Sequence, residues 1–235
     1  MKEYHKIEGL FNRDVNGTRK VILGSFRNKI VELLKDTTWI AQEKIDGTNI
    51  RIYWDGHVVK YNGRTNNAQL PPKLRDYLEA TFKTSEAEQL FEQLFGEKEV
   101  YLFGEGYGPG IQKCGGRYRS DVGFILFDVQ VNDYYLAQES VEEIATTFNV
   151  PAVKVVATGT IQELIDYVKN GPISQHSIDN TLIMEGVVAR PSIELRDQKN
   201  SRVIVKIKYE DLKDAITSDT VVPVGMSEEF YNSIK

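Results

Sequence analysis

Cysteine is almost absent from the sequence, since Cys114 is the only one in 235 residues. A single thiol excludes an intramolecular disulfide and a cysteine-based zinc cluster, and it is typical of a reducing compartment, so we predict a cytoplasmic protein. The three histidines, at positions 5, 57 and 176, do not have the spacing of metal ligands. Any bound metal ion must therefore be held by oxygen atoms.

Long apolar runs and an excess of positive charge are also missing. The N-terminus MKEYHKIEGL is charged, so we expect no secretory signal, and no stretch is long and apolar enough to predict a membrane span. Lysine and arginine number 29 against 34 aspartates and glutamates, which gives a formal net charge of -5. The protein as a whole therefore does not attract polyanions, and a nucleic-acid surface must be a local basic patch.

Internal repeats and proline-rich linkers are absent, so the sequence predicts one domain over residues 1–235. Segments rich in β-branched and aromatic residues predict strands at 39–44, 48–54, 57–62, 99–106, 122–131, 181–190 and 201–209. Apolar residues at helical spacing predict helices at 72–82, 85–95, 138–149 and 160–170. Alternation of polar and apolar residues in the strands favours antiparallel sheets, and Asp55–Gly56 predicts a two-residue hairpin. The fold class is therefore α+β, with helices on the outside.

The segment EKIDGTN (43–49) places Lys44 where one predicted strand ends and the next begins. A lysine acts as a covalent nucleophile only when its amine is neutral, which requires desolvation or nearby cations. Lys206 and Lys208 offer such cations, because residues two apart in a strand share a face while Val205 and Ile207 point to the core. An ordinary solvated strand face explains the same pattern.

Two glutamates stand in apolar strand-like runs, and each is followed by glycine: Glu105 in YLFGEG and Glu185 in LIMEGVV. A carboxylate in apolar surroundings must be paired, hydrogen-bonded or bound to a metal, and the glycine allows a ligand to approach. A structural salt bridge is the alternative for either glutamate. Arg64 in GRTN has a planar guanidinium that suits phosphate, although an ordinary turn residue fits equally well.

The order of these motifs along the chain is more specific than any one of them. KIDG (44–47) is followed by GR (63–64), GEG (104–106), FILFD (124–128), EG (185–186) and KIK (206–208). This ordered set resembles the covalent nucleotidyltransferases, which include the ATP-dependent RNA and DNA ligases and the mRNA capping enzymes, and it is most similar to the RNA ligase 2 type. The resemblance runs from about Glu43 to Tyr209. It implies an adenylyltransferase domain of antiparallel sheets flanked by helices.

The resemblance also implies a role for each matching residue. Lys44 would attack the α-phosphate of ATP to form lysyl-AMP, and Lys206 and Lys208 would contact that phosphate. Phe127 would stack on the adenine, and Glu105 would bond the ribose. The nucleotide-binding residues implied in this way are Lys44, Asp46, Gly47, Asn49, Arg64, Glu105, Phe127, Glu185, Lys206 and Lys208.

Glu185 is the metal ligand that the resemblance implies. Mg²⁺ is the expected ion because it prefers hard oxygen ligands and phosphates, and Mn²⁺ is expected to substitute for it. The predicted catalytic residues are Lys44, Glu185, Lys206 and Lys208.

The segment KCGGRYRS (113–120) predicts a nucleic-acid contact, because it has three basic residues, no acidic one and a tyrosine that can stack on a base. A plain mobile loop explains the same composition. By resemblance, Arg64 would also meet the incoming strand end. The predicted nucleic-acid contacts are Arg64, Gln112, Lys113, Arg117, Tyr118 and Arg119.

The leading prediction is an ATP-dependent RNA ligase for RNA repair, which joins the 3′-hydroxyl and 5′-phosphate of nicked or broken RNA through an adenylylated RNA end. Two alternatives stay open: a DNA ligase or other polynucleotide nucleotidyltransferase, and a catalytically inactive module that binds a nucleotide or nucleic acid. Few residues follow Lys208. We therefore expect no OB-fold domain, a tail from Asp211 that adds a strand and a short helix, and a partner protein that supplies the C-terminal function of longer relatives.

Overall fold

The computed structural model describes residues 1–15 and 17–217. The strands are β1 (Glu8–Gly9), β2 (Phe11–Arg13), β3 (Val21–Phe26), β4 (Trp39–Glu43), β5 (Thr48–Trp54), β6 (Val59–Asn62), β7 (Val100–Tyr107), β8 (Gly123–Val131), β9 (Tyr134–Tyr135), β10 (Val155–Gly159), β11 (Gly186–Pro191) and β12 (Val205–Lys208). The helices are α1 (Lys29–Leu33), α2 (Pro72–Phe82), α3 (Ser85–Phe95), α4 (Gln138–Thr147), α5 (Ile161–Lys169) and α6 (Tyr209–Lys213), with a 3₁₀ turn at Gly115–Arg117. By its internal contacts the chain divides into two compact units.

Unit 1 consists of Met1–Lys6, Ile45–Lys154 and Ile173–Leu182. Its antiparallel sheet has the strand order β6-β5-β7-β8-β9. One face of this sheet carries Ile50, Ile52 and Trp54, which lie in one buried core cluster with apolar residues of α2, α3 and α4. The opposite face of the sheet is polar and aromatic, because the residues that alternate with this apolar set include Asn49, Arg51 and Tyr53.

Unit 2 consists of the described residues of Ile7–Lys44, Val155–Pro172 and Ile183–Lys235. Its larger sheet has the order β1-β12-β11-β4-β10, and β2 and β3 form a separate pair. Only β1 pairs parallel to its neighbour among the strand pairs of this sheet in the described residues. Helix α5 buries Ile161, Leu164, Ile165 and Val168 at helical spacing. It begins with a capping box in which the Thr160 hydroxyl and the Glu163 carboxylate accept hydrogen bonds from each other's backbone N–H groups.

The α+β prediction with antiparallel sheets is confirmed, and residues 1–15 and 17–217 contain no OB-fold domain. The predicted strand over 181–190 is wrong in its first half, because β11 begins at Gly186. The two-residue hairpin at Asp55–Gly56 is also wrong: Trp54 pairs with Val59, so four residues form the turn. The Asp55 carboxylate accepts the N–H groups of His57 and Val58 and thereby holds this longer turn.

Several short elements were not predicted, namely β1, β2, β3, α1, β9 and β10. The tail was expected to add a strand and a helix; α6 lies in the described part, and residues 218–235 lie outside it. A single domain over residues 1–235 stays a prediction. Within the described ranges, no helix has the length and apolar character needed to cross a bilayer.

Candidate functional site: a lysine cluster and the KIDG turn

In unit 2 one carboxylate bridges two lysines from the strands on either side of β11. Lys44 follows β4, and its Nζ lies 2.6 Å from Oε2 of Glu185. The other oxygen of that carboxylate, Oε1, lies 2.5 Å from Nζ of Lys208 at the end of β12. The three side chains are 24%, 20% and 33% exposed for Lys44, Glu185 and Lys208 respectively, so they are partly desolvated but accessible. We call these three residues and Lys206 the lysine cluster.

The backbone fixes the lysine cluster at the point where three strands meet. β11 lies between β4 and β12, and the Lys44 N–H donates to the Gly186 carbonyl at 2.9 Å. Gly186 has φ +149, and a Cβ there would lie 2.1 Å from the Ile207 carbonyl oxygen. The glycine after Glu185 is therefore required by the close approach of β11 to β12, which brings Glu185 beside Lys208.

Lys206 shares the face of β12 with Lys208, as the alternation predicted. Val205 and Ile207 are buried at 3% and 2% exposure. Burial lowers the pKa of the Lys206 amine, and the charges of Lys208 and Lys44 lower it further. Three ammonium groups with one paired carboxylate leave a surplus of positive charge, which suits a phosphate in this position.

In unit 1 the turn that follows Lys44 in sequence packs directly on β7. A Cβ at Gly47 would lie 2.3 Å from the Gly106 carbonyl oxygen and 2.7 Å from Cγ of Glu105, so only glycine fits. Asn49 pairs with Glu105 in the β5–β7 ladder. The side-chain oxygen of Asn49 is buried and has no hydrogen-bond partner. A donor such as a ribose hydroxyl would satisfy it.

Two residues of the 112–118 loop hold this turn. The Gln112 side-chain amide donates to the Gly47 carbonyl at 3.0 Å, and the Tyr118 hydroxyl accepts from the Asp46 N–H at 3.3 Å. Gln112 is exposed, whereas the Tyr118 side chain is buried. Both contacts fix the backbone of the KIDG motif.

Phe127 lies at an irregularity of β8. Phe103 pairs with Asp128 and Gly104 pairs with Leu126, so Phe127 is the extra residue of a β-bulge. Its ring packs against the apolar cluster that includes Ile125. Phe124 is fully buried in the core beneath α2, where its ring meets that of Phe82 edge-on at 5.4 Å. The two aromatic residues thus belong to different clusters, and Phe124 is a core residue.

The predicted nucleic-acid contacts separate into exposed and buried groups. Arg64, Gln112, Lys113 and Arg117 are exposed. The Arg117 guanidinium donates to Thr181 Oγ1 at 2.6 Å and lies 3.7 Å from an oxygen of Asp179. These two contacts restrain the guanidinium of Arg117 but leave its side chain accessible.

Tyr118 and Arg119 were predicted to contact nucleic acid, and a plain mobile loop was the alternative. Tyr118 is only 5% exposed, so its ring is not offered to a base, which corrects the stacking expected of it. The Arg119 guanidinium lies over the rings of Tyr77 and Tyr107, at 5.9 and 5.4 Å from their centroids. A Cβ at Gly123 would meet Arg119 Nη1 at 1.9 Å. These two side chains therefore pack the loop rather than extend from it.

Sequence reasoning missed Arg51, which is fully buried on the polar face of β5. It also missed Tyr4, whose hydroxyl donates to Asp128 at 2.6 Å and whose ring lies 5.2 Å from that of Phe127. Alternation in TNIRIYW placed Arg51 opposite the core face, but nothing local showed that the N-terminal residues cover it. No group of three or more metal-ligating side chains occurs in the part of the chain that the structure describes.

Comparison with known proteins decides the family. The RNA ligase family model matches residues 37–208, which include all four residues of the lysine cluster. The chain belongs to the RNA ligase family. The resemblance to the ATP-dependent RNA ligases is therefore confirmed. A comparison with curated proteins found no match.

Solved RNA ligases have the same fold. A Naegleria gruberi RNA ligase mutant with ATP and Mn matches with a TM-score of 0.59 at 16% identity, over 90% of this chain and 61% of that chain. The N. gruberi ligase with PPi matches with a TM-score of 0.58 at 18% identity, over 83% and 60% of the two chains. An archaeal ATP-dependent RNA ligase matches with a TM-score of 0.58 at 15% identity, over 90% and 49%. This chain thus spans about half to three fifths of the length of these structures, and it has their nucleotidyltransferase fold.

Proposed function

We propose that this chain is an ATP-dependent RNA ligase that seals 3′-hydroxyl and 5′-phosphate ends through lysyl-AMP at Lys44. The observation that carries the proposal is the lysine cluster, in which Lys44 emerges from a strand end beside two further lysines. In the first step Lys44 Nζ loses a proton and forms a bond to the α-phosphorus of ATP, while the bond to pyrophosphate breaks. An oxygen of the RNA 5′-phosphate then bonds to the phosphorus of lysyl-AMP, while the bond to Lys44 breaks. The 3′-hydroxyl finally attacks the adenylylated 5′-phosphate, which forms the phosphodiester bond and releases AMP.

Lys206 and Lys208 support the transfer by electrostatics. Charge develops on the α-phosphate oxygens as the new bond forms, and two fixed ammonium groups stabilise that charge without reorganisation. Both side chains are partly buried, which strengthens their interaction with an anion. The negative charge of the ATP phosphates thus balances the surplus of positive charge in the lysine cluster.

Glu185 is the residue we propose to hold a divalent metal. A carboxylate has about four lone-pair positions, so its two lysine contacts leave room for a cation. Mg²⁺ commonly binds to one or two carboxylates and completes its shell with phosphate oxygens and water, which fits a single glutamate. Mn²⁺ has similar ligand preferences, and N. gruberi RNA ligase structures were solved with ATP and Mn and with AMP and Mn. When bound, the ion neutralises charge on the phosphates of ATP.

In unit 1 we propose that Phe127 stacks on the adenine, that Glu105 bonds the ribose, and that Arg64 contacts the adenylate. We assign the neighbouring Asp46, Gly47 and Asn49 to nucleotide binding as well. The buried, unpartnered oxygen of Asn49 and the glycine contacts at Gly47 support this assignment. Each of these roles is carried over from the family motif.

RNA is the proposed partner, and its exposed contacts are Arg64, Gln112, Lys113 and Arg117. Few phosphates are neutralised by so small a patch on a protein of net charge -5, so binding should weaken steeply as salt rises. Two further statements stay predictions: that a partner protein supplies the C-terminal function of longer relatives, and that this chain is cytoplasmic.

A test with labelled ATP distinguishes the candidate functions. ATP labelled at the α-phosphate should transfer its label to the protein in the presence of Mg²⁺, and a nicked RNA duplex should then be sealed faster than the matched DNA duplex. Absence of label on the protein would favour a binding module that lacks catalysis. Equal or faster sealing of the DNA nick would favour a DNA ligase.

Removal of the Phe127 ring should weaken ATP use without unfolding the protein. Stacking of a base on an aromatic ring contributes about 1–3 kcal/mol, so Phe127→Ala should raise the ATP concentration for half-maximal adenylylation by about tenfold. Phe124→Ala is the matched control, because it deletes a fully buried core ring and should cost about 3–5 kcal/mol of stability. Thermal unfolding and adenylylation of both variants are measured. If Phe124→Ala affects ATP use and Phe127→Ala does not, the adenine assignment is wrong.

A further inference from the structure

Arg51 is an arginine with no solvent exposure on the polar face of β5 in unit 1. Its guanidinium joins three separate stretches of chain. Nε donates to the Gly63 carbonyl at 2.7 Å, and Nη2 donates to Asn66 Oδ1 at 3.0 Å. Nη1 donates to the Met1 and Lys2 carbonyls at 3.3 and 2.8 Å. The Arg51 side chain therefore connects the loop 63–66 to the first residues of the chain.

All four acceptors of Arg51 are neutral, and no carboxylate is paired with it among the residues that the structure describes. Burial lowers the pKa of the guanidinium, and the nearby Glu3 carboxylate opposes that effect only in part. A buried charge that makes no salt bridge carries a desolvation cost in the folded protein. The planar fork of arginine offers several donors in fixed directions, and no other side chain can reach all of these acceptors at once.

The first six residues, Met1–Lys6, form what we call the N-terminal strap of unit 1. The Lys2 N–H donates to the Tyr101 hydroxyl at 2.8 Å. Tyr4 is 8% exposed, and its ring lies 4.7 Å from Phe103 and 5.2 Å from Phe127. Its hydroxyl donates to Asp128, the residue that follows Phe127 in the β-bulge. The N-terminal strap thus contacts the aromatic residue that we assign to adenine.

The loop 63–66 carries Arg64, which is exposed. Arg51 binds the residue before Arg64 and Asn66 beyond it, so it fixes both ends of the short segment that presents the Arg64 side chain. An exposed arginine on an unrestrained loop would lose conformational entropy when it binds a phosphate, and a loop fixed in advance avoids much of that loss. This gives the buried charge of Arg51 a function beyond folding.

We propose that Arg51 is a positioning residue for nucleotide binding, which holds the Arg64 loop against the N-terminal strap. The inference rests on the proposed function, since Arg64 acts here through its contact with adenylate. It predicts that Arg51 affects ATP binding mainly through Arg64.

The test is a double-mutant cycle on adenylylation rates over a series of ATP concentrations. Arg51→Lys keeps the charge but reduces the fork to one ammonium, which cannot reach both ends of the loop. It should raise the half-saturating ATP concentration by about tenfold, as loss of one or two buried hydrogen bonds does, with a smaller change in the maximal rate. Arg64→Ala should raise it to a similar extent. Arg51→Lys in the Arg64→Ala background should add less than about twofold, because the two changes act on one interaction.

Arg202→Lys is the matched control, because Arg202 is also buried, at 9% exposure, but its guanidinium pairs with Glu194 at 2.6 Å in unit 2. It should leave the ATP dependence unchanged. Hydrogen exchange of residues 63–66 gives a readout that does not require activity, and Arg51→Lys should accelerate it. If Arg51→Lys does not fold, Asn66→Ala removes one end of the same connection and should show the same coupling to Arg64.

Two results would overturn the inference: an unchanged ATP dependence in folded Arg51→Lys, or effects of Arg51→Lys and Arg64→Ala that multiply fully in the double variant. Either result would show that Arg51 has only a structural role, and the proposed function would be unaffected because the wild-type chain is still adenylylated. Absence of adenylylation in the wild-type chain would instead refute the proposed function, and with it the nucleotide role of Arg51, even if the hydrogen exchange of residues 63–66 responds as expected.

Discussion

Replacement of Lys44 by arginine should abolish the covalent adenylate on the protein. A guanidinium does not lose its proton in a protein, so it cannot form the nitrogen–phosphorus bond, yet it keeps the positive charge that pairs with Glu185. Removal of a nucleophile typically lowers the rate by roughly a thousandfold or more. Stability should change by less than about 1 kcal/mol, because a charged partner for Glu185 remains in an accessible position. Intact-protein mass spectrometry after incubation with ATP and Mg²⁺ measures the adduct.

The matched control for this prediction is Lys60→Arg. Lys60 also pairs with a carboxylate, at 2.6 Å from Asp55, but its side chain is 54% exposed in β6 and outside the proposed site. This variant should carry one adenylate as the wild type does. An adduct of undiminished yield in Lys44→Arg would move the nucleophile elsewhere, and peptide mapping would then show whether Lys206 or Lys208 carries it.

The lysine cluster could be predicted from the sequence because its geometry depends on rules of short range. Alternation placed Lys206 and Lys208 on one face, and the buried Val205 and Ile207 confirm it. The position of Lys44 at a strand end followed from the glycine at position 47 and the strand pattern that resumes at Thr48. Which strands are neighbours was not predicted, because the register of β4 on β11 depends on contacts between distant parts of the chain.

The elements that sequence reasoning missed are short and depend on their neighbours. β1 has two residues and pairs with β12, and β2 has three and pairs with β3. Strands of that length have too few residues for a periodic pattern, and their pairing supplies the stability that intrinsic propensity does not. The same holds for the extra residue at Phe127, because a bulge is defined by the partner strand and not by its own sequence.

Burial of polar and aromatic residues was the other source of error. KCGGRYRS has the composition of an exposed basic loop, but Tyr118 reaches the backbone of Asp46 and Arg119 lies over Tyr77. Both partners are far away in sequence, so no local pattern reports them. Arg51 shows the same limit more strongly, because arginine is almost never fully buried and only its contacts with residues 1–2 and 63–66 explain its position.

Replacement of Glu185 by glutamine should remove most adenylylation even when ATP and Mg²⁺ are saturating. The amide keeps the shape of the side chain but has no negative charge, so it binds Mg²⁺ poorly and no longer neutralises Lys44 and Lys208. We expect a loss of roughly a hundredfold or more, as for other groups that stabilise charge in a transition state. A metal titration should show that part of the lost activity returns at Mg²⁺ or Mn²⁺ concentrations above those that saturate the wild type. Glu142→Gln is the matched control, because Glu142 also pairs with a lysine, Lys154 at 2.6 Å, outside the proposed site.

The difference in unfolding free energy between Glu185→Gln and the wild type should also depend on pH, in a direction set by the pKa of Lys206. Burial and the neighbouring lysines already lower the pKa of Lys206, and Glu8 and Glu185 oppose that effect, so loss of Glu185 should lower the pKa further. A lysine whose pKa is lower in the folded state destabilises the fold while it is protonated, and this cost disappears as pH rises through the folded value toward the ordinary lysine value of about 10.4. The stability deficit of Glu185→Gln relative to wild type should therefore be largest near neutral pH and should narrow as the solution becomes alkaline. Urea unfolding at a series of pH values measures it, and a deficit that stays constant or grows toward alkaline pH would show that Glu185 does not balance the charge of these lysines.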